Sequence, residues 1–332
     1  AANRGTAKAD PSNPYMLKSR YRRILWFFAR VLVNLLFWDV ILSSIGLRRI
    51  SHRTRARRLQ KIAASFRTLA IEMSGVMIKT GIYGMVRMYA LLDWQTQLFG
   101  DIVLIAGVIS GVLGVVYALG QHDLKRLLAY SSVENIGVIL IGVGIGMIGA
   151  AANQPVMAVL GFAGGLLHVL NHAIFKSLLF MGAGMVLHAT GTRAIDSLGG
   201  LLKRMRITGT TFLIGSLAIS GLPPLSGFVS ELLIYLAGFR GLTLDRSGFA
   251  LCVVAIVSLA IIGGLALACF TKVVGVVFQG EPRSRAARAA HEKGPAMLAP
   301  MIGLAAACIA IGVFPGFFLP VALKTVAALG LG

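Results

Sequence analysis

Long apolar runs separated by short polar breaks fill most of this chain. From Met73 onward they cover about 73–92, 101–120, 127–149, 156–189, 208–238, 248–278 and 297–322. Each approaches or exceeds the ~20 residues that cross a hydrocarbon core. The pattern predicts an all-α fold: a polytopic membrane helix bundle of about seven helices over residues 73–332. The breaks differ in charge. Those after the second, fourth and sixth runs hold Lys125 and Arg126; Arg193, Lys203, Arg204 and Arg206; and Arg283, Arg285, Arg288 and Lys293. Those after the first, third and fifth hold only Arg240 and Arg246. Ten against two is a positive-inside alternation. It predicts an odd number of crossings that begin on the cytoplasmic side, and it requires 208–238 to cross once.

That fifth run is interrupted by Leu222-Pro223-Pro224-Leu225-Ser226-Gly227. Two prolines and flanking glycines break the helical ladder at mid-membrane depth, so discontinuous helices are expected. Such breaks are tolerated only where protein or a water-filled cavity satisfies the freed groups, and they recur at ion sites of transporters. A simple proline kink is the plainer reading. The fourth run is long for one crossing; either Gly164-Gly165 kinks it or its ends pass beyond the core. The pairs Gly107/Gly111, Gly142/Gly146 and Gly161/Gly165 predict close helix packing.

Composition agrees with a membrane protein. Of 332 residues, 57% are hydrophobic and 13% charged, with a mean hydropathy of +0.81; a soluble domain carries roughly 25% charged residues. The net charge of +20 does not point to nucleic acid, because the basic residues crowd into the loops and the first 72 positions. That placement suits a cytoplasmic face and its anionic lipids. Residues 1–72 hold 15 of the 32 Lys and Arg residues and form a basic, atypical segment. Within it, Ile24 to Ile45 either lies in the interface as an amphipathic helix, the favoured reading, or spans poorly. That run carries Arg30 and Asp39 and lacks a small-residue cleavage site, so no cleavable signal peptide is expected. Cys252, Cys269 and Cys308 lie in apolar runs without metal-ligand spacing, so no metal, cofactor or disulfide framework is expected.

Against this background the buried ionisable residues stand out. Lys79 lies inside Met73-Ser-Gly-Val-Met-Ile-Lys-Thr-Gly-Ile-Tyr-Gly. An intramembrane lysine is costly, and proton carriage or gating is a common reason for keeping one; a purely structural partner carboxylate is the alternative. His168, His172 and Lys176 are spaced i, i+4, i+8 and share a helix face, with Asn171 beside them. Two imidazoles and an amine in a row suit a proton relay. His168-Val-Leu-Asn-His172 has metal-ligand spacing but lacks the glutamate and third ligand of a zinc protease. The blander reading has the histidines bonding neighbouring helices. Glu231 follows the broken segment by about a turn and suits a terminal donor or acceptor. Glu134 lies about two turns into the third run, and Lys125 stands at its entrance, as a relay member or an ordinary loop cation. Gly144-Ile-Gly146-Met-Ile-Gly149 matches a dinucleotide fingerprint, but it ends an apolar helix instead of joining strand to helix.

Four segments then appear in order: Met73-Ser-Gly-Val-Met-Ile-Lys-Thr-Gly-Ile-Tyr-Gly, Asp123-Leu-Lys-Arg-Leu-Leu-Ala-Tyr-Ser-Ser, His168-Val-Leu-Asn-His172-Ala-Ile-Phe-Lys176 and Gly221-Leu-Pro-Pro-Leu-Ser-Gly-Phe-Val-Ser-Glu231. They resemble the antiporter-like proton-channel subunits of respiratory NADH:quinone oxidoreductase, multisubunit cation/proton antiporters and membrane-bound group 4 hydrogenases. The wording around Leu-Pro-Pro-Leu-Ser-Gly-Phe-Val-Ser-Glu is most similar to the hydrogenase-4 and formate hydrogenlyase type. The resemblance spans about Met73 to Lys324. It implies that Lys79 exchanges a proton in a broken helix, that Lys125, His168, His172 and Lys176 continue a hydrated line along the membrane plane, and that Glu231 is terminal. Partner subunits of a respiratory or hydrogenase complex would supply the redox chemistry, in the cell inner (plasma) membrane with the N-terminal segment cytoplasmic. A stand-alone cation/proton antiporter and a non-conducting truncated remnant or scaffold are the rival readings.

The chain departs from that family before Met73. Relatives have about six more helices upstream, with a glutamate that pairs with the lysine at Lys79, and a His- and Pro-rich stretch just before Met-Ser-Gly. Here Arg67-Thr-Leu-Ala-Ile-Glu72 stands instead. An altered reading frame upstream of Met73 is the expectation, with an alternative N-terminus as its rival. Translating the upstream nucleotide sequence in all three frames should restore a His/Pro-rich stretch and further apolar spans in one of them. If no frame restores them, the basic segment is genuine.

Overall fold

The structure is a computed structural model, and it describes residues 78–92, 96–292 and 294–331. The basic segment 1–72, the expected interfacial helix at 24–45, the start of the first run at Met73 and Lys293 lie outside the described residues. The described elements are α1 (Ile78–Leu92), α2 (Gln97–Leu119), α3 (Leu124–Ala151), α4 (Pro155–Thr190), α5 (Arg206–Ile219), α6 (Ser226–Gly241), α7 (Arg246–Val273), α8 (Arg285–Arg288), α9 (Pro295–Val313) and α10 (Pro315–Ala328). Two short 3-10 turns lie between α4 and α5, and one π turn, Val274–Phe278, follows α7. Extended pairing among the described residues is confined to a bridge between Asp123 and Ala194. The fold is therefore an all-α membrane bundle. Among the described residues, five helices are long and apolar enough to cross a membrane: α2, α3, α4, α7 with its π turn, and α9.

Local sequence sets the helix ends. Asp123 caps α3 by accepting the backbone N–H groups of Lys125 and Arg126 at 2.9 and 3.1 Å. Gly191 closes α4 in the left-handed conformation, φ 70°. α4 runs unbroken through Gly164-Gly165. At ~1.5 Å per residue its 36 residues far exceed a ~30 Å core.

Two expected runs are split. The run 208–238 becomes α5 and α6, separated at 220–225 around the cis Pro223-Pro224 bond. The run 297–322 is split as well. It breaks at Phe314, which leaves helical geometry at φ −119°, ψ 55°, and Pro315 starts α10. The cause is local: a residue before proline is driven out of the α region, and proline is favoured at the first helical position.

The three basic loops meet at one end of the bundle. Leu124 N donates to Arg193 O, Ile195 N to His122 O, and Gly200 N to Gln279 O. Lys203 bonds Glu281 at 2.6 Å, holding that exposed carboxyl below the usual glutamate range. Lys272 Nζ donates to Leu119 O at 2.8 Å and Gln121 O at 3.2 Å, satisfying carbonyls at the α2 C-terminus. At the other end, Gln97 of α2 reaches Ser247 of α7 at 3.4 Å.

α3 is the central helix. It is apolar on nearly every side and buried from Ile136 to Gly149. Its neighbours approach through the predicted glycine pairs. A Cβ on Gly107 would lie 2.8 Å from Ile141 N, and one on Gly161 would lie 2.8 Å from the Gly146 Cα. Gly142 meets Gly165 in the same way, at 3.1 Å. Backbone-to-backbone contact maximises dispersion where lipid tails provide no hydrophobic gradient.

This packing makes Gly137 a sharp probe, because a Cβ there would stand 2.5 Å from the Gly111 Cα and 2.6 Å from Gly107 O. Gly137→Val should destabilise the bundle by about 1–3 kcal/mol or more and lower the melting temperature of the purified protein. Gly264→Ala, where a Cβ meets nothing within 4 Å, should leave it unchanged.

Candidate functional site

α3, α4 and α6 enclose a line of buried polar groups. On α4, His168, Asn171, His172 and Lys176 are all fully buried, one below another along a single face. Lys176 Nζ crosses to α3, donating to Leu128 O at 2.7 Å and Ser131 Oγ at 2.6 Å. Ser131 O accepts from Asn135 Nδ2 at 2.8 Å. Asn135 Oδ1 lies 3.1 Å from His168 Nε2, and His168 Nδ1 lies 2.9 Å from Ser230 Oγ on α6. Asn171 Nδ2 completes the connection to α6, donating to Ser226 O at 2.7 Å and Ser230 Oγ at 3.0 Å. Polar contacts thus run without a gap from Lys176 to the first turn of α6. Within a bilayer core such groups are tolerated because each finds a protein partner.

His172 is the exception inside the line. It is fully buried, and neither ring nitrogen has a hydrogen-bond partner among the described residues. Its ring meets Phe175 edge-on with centroids 5.5 Å apart. Lys79, Lys176 and His168 are its charged or titratable neighbours. Lys79, the second residue described in α1, is 8% exposed and acts electrostatically on both imidazoles. Glu134 is buried on α3, one carboxylate oxygen lacks a hydrogen-bond partner, and it senses Lys176 and Glu231.

Glu231 sits at the helix break. It is half-buried, and its carboxylate lies against Gly221, whose φ is +64°. A Cβ on Gly221 would stand 2.8 Å from the Glu231 Cδ and 3.0 Å from Oε1. The break is wrapped from outside by α9, where Gly312 contacts Pro224 and Leu225. Lys125 is half-buried in the first turn of α3, three residues before the Leu128 carbonyl that accepts from Lys176.

Of the residues singled out in the sequence, the structure therefore brings Lys79, His168, His172 and Lys176 into one neighbourhood. It sets Glu134 beside them, Glu231 at the break and Lys125 in the first turn of α3. Sequence reasoning missed Ser131, Asn135, Ser226 and Ser230, which carry the crossings between helices. The visible signal was small: polar residues recurring at helical spacing, Ser131/Asn135 and Ser226/Ser230, inside apolar helices.

The fold and the buried Lys–His–Asn–Ser line define a polytopic membrane helix bundle with a broken helix. Residues 62–263 match the family described as NADH:quinone oxidoreductase/Mrp antiporter, TM, and the chain belongs to it. It is 44% identical to Hydrogenase-4 component B of Escherichia coli K12 over 75% of this chain and 38% of that protein. It is 41% identical to Formate hydrogenlyase subunit 3 of the same organism, over 74% of this chain and 41% of that protein. The chain thus spans about two fifths of the length of these curated relatives. Among solved structures it superposes on a chain of respiratory complex I from Thermus thermophilus with bound NADH, with a TM-score of 0.60 and 26% identity. That match covers 77% of this chain and 50% of the other.

Gly221→Ala tests how the break holds its carboxylate. The added methyl faces both a left-handed backbone, costing about 1–2 kcal/mol, and the Glu231 carboxyl group. The variant should melt at lower temperature than the parent, and Gly221→Ala combined with Glu231→Ala should recover part of that loss. Equal melting of Gly221→Ala and parent would remove the contact from the argument.

Proposed function

We propose that this chain is the proton-carrying membrane part of a redox-driven complex. Lys79, Lys125, Glu134, His168, His172, Lys176 and Glu231 form its relay. The observation that carries the reading is the buried line of polar contacts, residue to residue, from Lys176 through Ser131, Asn135 and His168 to Ser230 of α6. Ionisable groups inside an apolar bundle are costly to bury, and ion or proton pathways are a common reason for keeping them. His172 supports it further: it is fully buried between His168 and Lys176, senses the charges of Lys79 and Lys176, and has no hydrogen-bond partner for either ring nitrogen among the described residues.

In this reading the charges act in sequence. A proton gained or lost at Lys79 changes the field at His168 and His172, and the change passes to Lys176 and Glu134. Glu231, beside the break, exchanges with the outside. Electron transfer belongs to partner subunits, as the names hydrogenase-4 component B and respiratory complex I place the relatives in larger assemblies. The basic end would face the cytoplasm and the anionic lipids of the plasma membrane.

The test uses the chain in its assembled complex in membrane vesicles. Lys79→Ala and Glu231→Gln should each reduce electron-coupled proton movement by ~100-fold, the scale of losing a positioned acid or base, while the complex still assembles. Unchanged proton movement in both variants overturns the reading.

A further inference from the structure

We infer that the Ser230 hydroxyl is a two-position rotor that reports the protonation of His168 to the turn of α6 bearing Glu231. The inference rests on the proton-carrying role of His168 proposed above. Ser230 Oγ is fully buried and has three polar neighbours: His168 Nδ1 at 2.9 Å, Gly227 O at 2.9 Å and Asn171 Nδ2 at 3.0 Å. A hydroxyl has one proton to give. Asn171 donates to it, so the proton must choose between His168 Nδ1 and Gly227 O.

The state of His168 makes that choice. Asn135 gives an N–H to Ser131 O, which fixes its Oδ1 as the acceptor facing His168 Nε2. Nε2 therefore carries hydrogen in every state. In the neutral imidazole Nδ1 is bare and must accept from Ser230. In the imidazolium Nδ1–H donates to Ser230 Oγ, and the hydroxyl turns to Gly227 O. Both arrangements leave Ser230 fully bonded, and its O–H bond is kept and only rotates. The one covalent change is at His168, where Nδ1 gains an N–H bond to a proton given up by a hydronium ion, which is left as water.

Gly227 is where the signal lands. In an α-helix the carbonyl of residue 227 also accepts the N–H of residue 231, so the rotor adds or removes a second bond on the carbonyl that anchors Glu231. Gly227 also packs against Ala218 of α5, across the break. Among the described residues, the charged and titratable groups that act on His168 are Lys79 from α1 and His172 on its own helix; Glu134 of α3 and Glu231 of α6 act on each other. Ser230 is thus a positioning residue, acting through His168 and Glu231.

Solid-state NMR of the complex in lipid, with labelled histidine and glycine, tests this on the parent chain. The expected result is an Nε2–H tautomer for neutral His168, and a Gly227 carbonyl shift that moves with the His168 nitrogen as pH is lowered. In Ser230→Ala the two should titrate independently, and proton movement should fall about tenfold against less than twofold change in assembly. A Gly227 carbonyl that ignores His168, or an Nδ1–H tautomer, overturns the rotor. Should Lys79→Ala and Glu231→Gln abolish proton movement while Ser230→Ala equals the parent, the rotor fails and the proton function stands. The NMR coupling decides the rotor even where the proton function itself fails.

Discussion

Everything in this bundle follows from one constraint: a polar group inside hydrocarbon must find its partner within the protein. An unsatisfied amide or hydroxyl there costs about 4–8 kcal/mol on an alkane scale. The break at 220–225 is therefore possible only because other elements close over it. Gly312 of α9 packs directly on Pro224 and Leu225, and Asn171 of α4 takes the free Ser226 carbonyl. The same rule explains Lys176. Its ammonium is fully buried, and it is held by a backbone carbonyl and a hydroxyl of α3 at 2.7 and 2.6 Å.

The glycine packing and the polar line depend on each other. Close approach of α2 and α4 to α3 through Gly107, Gly137, Gly146 and Gly161 shortens the distance that side chains must span. Serine and asparagine can then bridge helices that longer side chains would otherwise have to join. Short side chains have few rotamers, so little entropy is lost in fixing them. The result is a line whose geometry is set by backbone contacts, with chargeable groups at only a few positions along it.

The sequence made the fold class legible because hydrophobic runs and loop charges are physical requirements of the bilayer. It also exposed Lys79, His168, His172 and Lys176, because an ionisable residue in an apolar run has no cheap explanation. It was weaker where the evidence was local and small. The split at Phe314-Pro315 was lost inside a continuous apolar run, since hydropathy averages over the one residue whose backbone leaves the helix. Ser131, Asn135 and Ser230 were passed over for a different reason. A hydroxyl or amide in a membrane helix commonly bonds its own helix at i−4, as Asn135 does here to Ser131 O. Only the three-dimensional crossing reveals that the other end of that amide faces His168.

The functional reading also separates what is shared along the line from what is local. Lys176 and His168 are tied into hydrogen bonds on α3 and α6, so their positions are fixed by three helices at once. His172 is tied into none among the described residues, yet it lies between them. A relay needs both kinds of member: fixed groups that hold the path open, and a group whose bonding is not already spent. In a low-dielectric interior a change of charge on one member is felt strongly by the next. In the proposed relay His172, lying between His168 and Lys176, couples to both through charge, and Glu231, half-buried at the break, is the terminal group.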